Sequence, residues 1–309
     1  MASTMMRSTH ISAENTSVYT GKGKPSFWGL VRGELFRLSR HWLTWLIPIL
    51  YLGGTLLLHL LLASGPRAKE VLLQAPLEFL FTEMQYPALV MRIFGGIFLI
   101  ILAAYLIGME YQSGTIRIIL ARGVGRVQYL LAQVTAVLII ALFMVIIWTA
   151  INTLLTCIVM LVLAGNLNAW QAVNAHFWAI TAFYMGTILI NMGVSVLMAA
   201  TMVVLSRSLA GGMSLAISWF MVDNMLTWPL QLMGIFLHNE LPLKLSGYLL
   251  GPVLNVLPQA IGLKEISVRG TFVPLVKIEA TQAWLVILAY TVVFIAVSLL
   301  LTWKKDVKE

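Results

Sequence analysis

EYQSGTIRIILARGVGRVQYLLAQ, Glu110 to Gln133, decides the fold. The stretch is charged and punctuated by glycine, and it joins two apolar runs, Ala88 to Met109 and Tyr129 to Ala164. A helix needs about 20 apolar residues to cross a hydrocarbon core of about 30 Å, and both runs meet that length. Working outward adds Trp42 to Ala63, Phe177 to Leu205, Leu209 to Leu237 and Ala283 to Trp303, six runs in all. No run alternates with a period of two, so a barrel is excluded and backbone polar groups in lipid must be satisfied within helices. The expectation is an all-α integral membrane protein. The run from Tyr129 exceeds what a bilayer requires and should tilt or project beyond it.

Composition agrees: 60% of residues are hydrophobic and 10% charged, outside the range of soluble globular domains. Met1 to Ser26, rich in Ser, Thr, Gly and Lys, reads as a disordered cytoplasmic tail, followed by a single transmembrane domain over 27–309. No cleavable signal is visible in the polar first forty residues, so the first span acts as an uncleaved anchor.

Orientation follows from Lys and Arg, which disfavour translocation in short loops. With the N-terminus inside, the cytoplasmic side collects Arg7, Lys22, Lys24, Arg32, Arg37, Arg40, Arg117, Arg122, Arg126, Arg207, Lys304, Lys305 and Lys308. The outer side keeps Arg67, Lys69, Lys244, Lys264, Arg269 and Lys277, diluted by Glu70, Glu78, Glu83, Glu240, Glu265 and Glu279. Both termini are therefore placed inside. The net charge of +8 is a topology and lipid-headgroup signal, with no nucleic-acid footprint.

Three segments outside the runs carry structure. Over Phe27 to Trp42, Trp28, Val31, Leu35, Leu38 and Trp42 recur at steps of three and four, which predicts an in-plane amphipathic elbow helix at 27–41. The outer connection, 238–282, holds Pro242, Pro252, Pro258 and Pro274 and two short apolar pieces, Leu245 to Leu250 and Val253 to Ile261. These suggest half-helices forming a hairpin that dips into the outer leaflet or lids the bundle. The loop 110–128 is the third. Ser113 can cap a short helix over Thr115 to Ala121, and Arg122, Gly123, Val124, Gly125 and Arg126 form a basic turn. Ile116, Ile119 and Leu120 give that helix an apolar face suited to docking in a groove on another protein.

Charge inside lipid is costly unless paired or hydrated. Asp223 with Asn224, and Arg92 in the second run, are the candidates, and an Asp223 to Arg92 pair is expected, with a substrate role for Asp223 and Asn224 as the sharper reading. His59, His176 and His238 are too scattered for a metal site. Cys157 stands alone, so no intramolecular disulfide is available. Met192, Met198, Met202, Met213, Met221 and Met225 read as adaptable filler between helices. Gly211, Gly212 and Ala216, and Ala182 with Gly186, have the spacing of close helix contacts, while Pro48 and Pro229 should kink their helices. No paired carboxylates or nucleophile-base set can be assembled on one side of the membrane, so the chain is not expected to be an enzyme.

The order Glu110, Tyr111, Gly114-Thr115-Ile116-Arg117, Leu120, Arg122-Gly123-Val124-Gly125-Arg126, Tyr129-Leu130 and Gln133 resembles the cytoplasmic loop after the second span of type-2 ATP-binding-cassette (ABC) permeases. Gly123 stands where that family often has proline, and Gln133 where it often has lysine. The resemblance implies the membrane subunit of an ATP-driven exporter, in the plasma membrane of a prokaryote. Its short coupling helix would contact a separate ABC ATPase, and a second permease copy or paralogue would complete the path. Glu110, Gly114, Thr115, Ile116, Arg117, Arg122, Gly123 and Arg126 would carry ATPase coupling, with Glu110 bracing the loop by pairing with Arg117 or another basic residue. ATP and magnesium would be bound by the partner, since the nearest phosphate-loop candidate, GKGKPS at Gly21 to Ser26, lacks a preceding strand and places proline before its serine. The alternatives are a secondary transporter or channel, which would usually show several midplane charges and an internal repeat, and a non-transporting membrane assembly protein.

Overall fold

A computed structural model describes residues 26–114, 121, 123–263, 266 and 273–304. Among them, regular structure is entirely helical. In chain order the helices are α1 (Phe27–Ser39), α2 (Trp42–Ala63), α3 (Ala68–Gln74), α4 (Pro76–Gln112), α5 (Arg126–Ala164), α6 (Ala175–Ser206), α7 (Leu209–Met225), α8 (Thr227–Phe236), α9 (Glu240–Ser246), α10 (Leu250–Ala260) and α11 (Ala280–Lys304), with a 3-10 turn at Asn168–Ala172. Among the described residues, six stretches are long and apolar enough to cross a membrane: Thr44–Ala63, Pro76–Gln112, Arg126–Ala164, Ala175–Ser206, Leu209–Phe236 and Ala280–Trp303.

Local sequence sets the ends. Ser26 caps α1 by accepting from the Gly29 amide at 3.0 Å, and Asn174 caps α6 by accepting from Phe177 at 2.9 Å. At the other end of α6, Arg207 turns left-handed (φ 53°), and Ser208 then caps α7 through the Gly211 amide at 3.4 Å. One such turn reverses the chain between two spans, since an exposed cap satisfies amides that lipid could not.

Two expected boundaries move. The second span begins at Pro76 and runs for 37 residues, passing through Pro87. Pro87 lacks the amide that would bond the Glu83 carbonyl, but Asn152 Nδ2 donates to that oxygen at 3.3 Å, and the helix continues. Glu83, expected among the outer loop charges, is 1% exposed inside α4. The fifth span is broken at Leu226, between α7 and α8. Pro229, in the first turn of α8, supplies no amide to the Met225 carbonyl. The run from Tyr129 forms α5, 39 residues long, about 58 Å at 1.5 Å per residue, well beyond a bilayer core.

α4 and α6 form the centre. In each, 67% of the most apolar window is buried within the chain, against 18% in the first span, 17% in the fifth and 22% in the sixth. The outer helices thus keep large apolar faces for lipid or another protein. Close packing at the centre depends on particular glycines: a Cβ on Gly108 of α4 would lie 2.7 Å from Leu209 Cα, and one on Gly212 of α7 would lie 2.6 Å from Val203 Cα. Nothing lies within 4 Å of a Cβ on Gly186, so Ala182 and Gly186 do not make the close contact their spacing suggested.

α1 is separated from α2 by Arg40 and His41. Its expected apolar stripe divides: Val31 and Leu38 are buried, Leu35 is half-buried, and Trp28 and Trp42 are exposed. Val31 packs with Ala132 and Ala136 of α5. In the segment expected as apolar half-helices, α9 and α10 form, and α10 is buried along most of its length, from Leu250 to Pro258.

Candidate functional site

Two of the polar centres in the apolar bundle contain residues singled out by the sequence. One lies at the foot of the loop 110–128 and the other lines a cavity between α4, α6, α7 and α10.

At the loop foot, α4 ends and α5 begins. Ser113 closes α4, its amide donating to the Met109 carbonyl at 2.9 Å and its hydroxyl to the same oxygen at 2.6 Å. Gly114 follows at φ 67°, and Gly123 at φ 84° stands before α5. Both occupy the left-handed region, which only glycine enters freely. A Cβ would meet nothing within 4 Å at either position, so torsion alone selects glycine there. Thr115, Ile116, Arg117 and Arg122 lie outside the described residues, as does the helix expected over Thr115 to Ala121 except for Ala121 itself. Arg126 opens α5.

Glu110, the buried acid in the last turn of α4, accepts from the Arg37 guanidinium of α1. Arg37 is thus the basic residue that meets Glu110 among those described. Glu34, one turn earlier on α1, accepts from the Tyr129 hydroxyl at 2.7 Å and faces Arg37 at 3.7 Å. Both ends of the loop are therefore tied to α1: Glu110 before it by Arg37, Tyr129 after it by Glu34. Burial pushes the Glu34 carboxyl above its ordinary value; Tyr129 and Arg37 oppose that shift and Glu110 reinforces it. Oε2 of Glu34 and Oε2 of Glu110 are buried without a hydrogen-bond partner among the described residues. Two acids facing one arginine leave an acidic surplus beneath a basic loop.

The second centre is a cavity of about 250 Å³. Its lining joins the three intramembrane residues singled out by sequence: Arg92, Asp223 and Asn224. The expected Asp223 to Arg92 pair does not form. Each instead holds the backbone of α10. Asp223 accepts from the Leu250 amide at 3.3 Å and from the Gly251 amide, so it complements the positive N-terminal end of that helix. Arg92 Nη2 donates to the Leu254 carbonyl. Asn255 Nδ2 donates to Asn224 Oδ1 at 3.1 Å, and a Cβ on Gly251 would fall 2.5 Å from Asn224 Nδ2, so α10 can approach this closely only with glycine there.

Sequence reasoning missed a third cluster. His59 Nδ1 meets Glu83 Oε2, and its Nε2 lies 3.1 Å from Asn152 Oδ1, all buried. Because Asn152 gives its amide hydrogens to the Glu83 carbonyl, its oxygen accepts from His59 Nε2. The signal was Pro87, which looks like a boundary but stands inside a helix. Among the described residues no group of His, Cys, Asp and Glu could hold a metal ion.

Across residues 2–307 the chain matches the family model described as ABC-2 family transporter protein. No curated protein matches it.

Proposed function

The chain belongs to the ABC-2 transporter family, and on that premise we propose that it is the permease subunit of an ATP-driven exporter whose motor binds beneath the loop 110–128. Membership makes the chain a multi-pass membrane component of an ABC transporter, not itself catalytic, and implies an ABC ATPase as partner. The finer reading is ours. Both termini are cytoplasmic, in the plasma membrane of a prokaryote, and a second copy or a paralogue faces this one across the transport path. The ATPase, a separate polypeptide, binds ATP and magnesium. Its closure pushes the segment containing Thr115, Ile116 and Arg117 as a lever, and Glu110, Gly114, Arg122, Gly123 and Arg126 hold the base of that lever.

The observation that carries this reading is the tie between the loop and α1. A solvated connection has no need of buried anchors at both of its ends. Here Arg37 grips Glu110 and Glu34 grips Tyr129, so a push on the loop reaches α4, α5 and α1 together. The Oε2 atoms of Glu34 and Glu110, which accept no hydrogen bond among the described residues, offer acceptors to arginines of the loop.

The test is copurification with an ABC ATPase co-expressed with this chain, followed by hydrolysis assays in liposomes. Gly114→Pro and Arg117→Glu should each abolish association or stimulation while the permease still inserts. Unchanged association and stimulation in both variants would overturn the docking assignment.

A further inference from the structure

A groove of about 250 Å³ opens on the outside of the bundle between α2, α4 and α5. Buried Tyr51, Met91, Phe98 and Trp148 make its floor, and exposed Leu52 and Ile147 stand at its rims. Its few polar groups are already used or closed off. The Tyr51 hydroxyl donates to the Met91 carbonyl at 2.5 Å, Thr55 Oγ1 accepts from the Trp148 indole at 3.0 Å, and the Thr44 hydroxyl is buried. What remains for an occupant is aliphatic and aromatic surface, which suits hydrocarbon and gives a water molecule no partners.

Length and position narrow the occupant. On α2 the lining runs from Thr44 to Thr55, a rise of about 16 Å at 1.5 Å per residue. That is the hydrocarbon depth of one leaflet, half of a core of about 30 Å. One turn beyond Thr55 the gap is bridged, since His59 of α2 meets both Glu83 of α4 and Asn152 of α5. The groove is therefore blind at its deep end, too short for the spanning helix of a partner but long enough for the tail of a lipid.

The shallow end carries charge. Trp45, which lines it, donates from its indole to the Ser39 carbonyl at 2.7 Å and so folds back against the end of α1. Arg40, the next residue, is exposed, lies 4.4 Å over the Phe36 ring and meets no acid among the described residues. Arg37, one turn earlier, is committed to Glu110. A blind apolar slot one leaflet deep, with an unpaired cation at its mouth, is complementary to a phospholipid whose head carries net negative charge. The first span is only 18% buried within the chain, so a lipid chain seated here adds to the contacts that hold α2 against α4 and α5.

We propose that this groove is a binding site for one acyl chain of an anionic phospholipid from the leaflet on the side of α1, its head on Arg40 and its tail ending at Thr55 and Trp148. The site does not depend on the ATPase reading.

Binding is tested on the purified full chain in phosphatidylcholine nanodiscs doped with a photoreactive phosphatidylglycerol or phosphatidylcholine. Each probe carries its diazirine either near the head or at the tail of the acyl chain. Labelled residues are mapped by mass spectrometry, and exposed Ile295 and Leu300 of α11 report ordinary lipid contact. Head-end probes should label around Trp45 and tail-end probes around Thr55 and Ile151. Phosphatidylglycerol should be favoured by about fivefold in the groove, the scale of one cation at a membrane surface, and not at α11. Arg40→Gln, at an exposed position, should bring that preference to about one while tail-end labelling persists. Ile147→Trp narrows the groove and should lower labelling there while leaving α11 unchanged. Groove labelling without head-group preference or depth order, or unmoved by Ile147→Trp, would mean ordinary surrounding lipid and would overturn the site. Loss of groove labelling together with disulfide-linked dimers of Leu52→Cys in a Cys157→Ser background would seat a second copy there and overturn it as well.

Discussion

Arg92 donates to the carbonyl of Leu254, and Pro258, four residues further along α10, is the reason that oxygen is free. In a regular helix the amide at position 258 would take it; proline has no amide to give. Asn152 does the same for the Glu83 carbonyl that Pro87 leaves open. In both places a helix-breaking residue is tolerated because a polar side chain from a neighbouring helix fills the gap.

A double-mutant cycle tests the first case. Pro258→Ala should return a helical amide to Leu254, so Arg92→Met should affect stability differently with and without it. We expect a coupling of about 0.5–3 kcal/mol between the two sites, read from thermal unfolding of the detergent-purified protein. Strict additivity would show that the proline does not create the acceptor.

Removing Arg37 should free α1 from the bundle. Arg37→Ala leaves the buried Glu110 carboxylate without its cation, at a cost of roughly 1–3 kcal/mol once the partial exposure of Arg37 is discounted. Hydrogen exchange should rise across Val31 to Leu38, and Glu110→Gln in the same chain should recover part of the protection. Exchange equal to the parent would mean that apolar packing alone holds the helix.

Glu34 gives a pH dependence of definite sign. Its folded value is raised above the ordinary 4.5, so the folded state binds the proton more tightly than the unfolded chain does. The stability linked to this group is complete below that ordinary value and is lost as pH rises through the higher folded one. Glu34→Gln keeps an acceptor for Tyr129 and escapes the loss. The variant should therefore unfold at higher temperature than the parent at neutral pH, with the advantage shrinking on acidification. A variant less stable at neutral pH would show that the Arg37 contact outweighs burial.

Gly212 and Gly186 both lie on spans, and only one is in close contact. Gly212→Ala should cost about 1–3 kcal/mol through overpacking against the Val203 backbone. Gly186→Ala should be neutral or gain up to about 1 kcal/mol from helix propensity. Expression and melting temperature of the two variants decide the matter, and equal losses would refute the packing distinction.

The six spans were legible because the length of an apolar run is itself the physical requirement for crossing lipid. Glu83 was not, because an acid four residues before Pro87 looks like a loop charge until Asn152 and His59 are seen to satisfy both groups. Arg92, Asp223 and Asn224 were legible as expensive residues in an apolar setting, and they do line one cavity. Their partners were not, since these are backbone groups of a helix distant in sequence, one of them exposed only by Pro258. Glu34 was hidden in plain register: it shares the stripe of Val31 and Leu38, and an acid on a buried stripe signals a polar anchor as clearly as Asp223 did.

The hold on α10 also limits how the bundle can rearrange. Were that helix to slide one turn along α4, the guanidinium would face an oxygen already occupied by its own helix, because only the proline vacates one. The Arg92 bond to Leu254 therefore fixes the register of α10 against α4, while the fifth span holds together across Leu226, whose amide reaches the Val222 carbonyl at 2.8 Å and whose carbonyl accepts from the Leu230 amide at 3.2 Å.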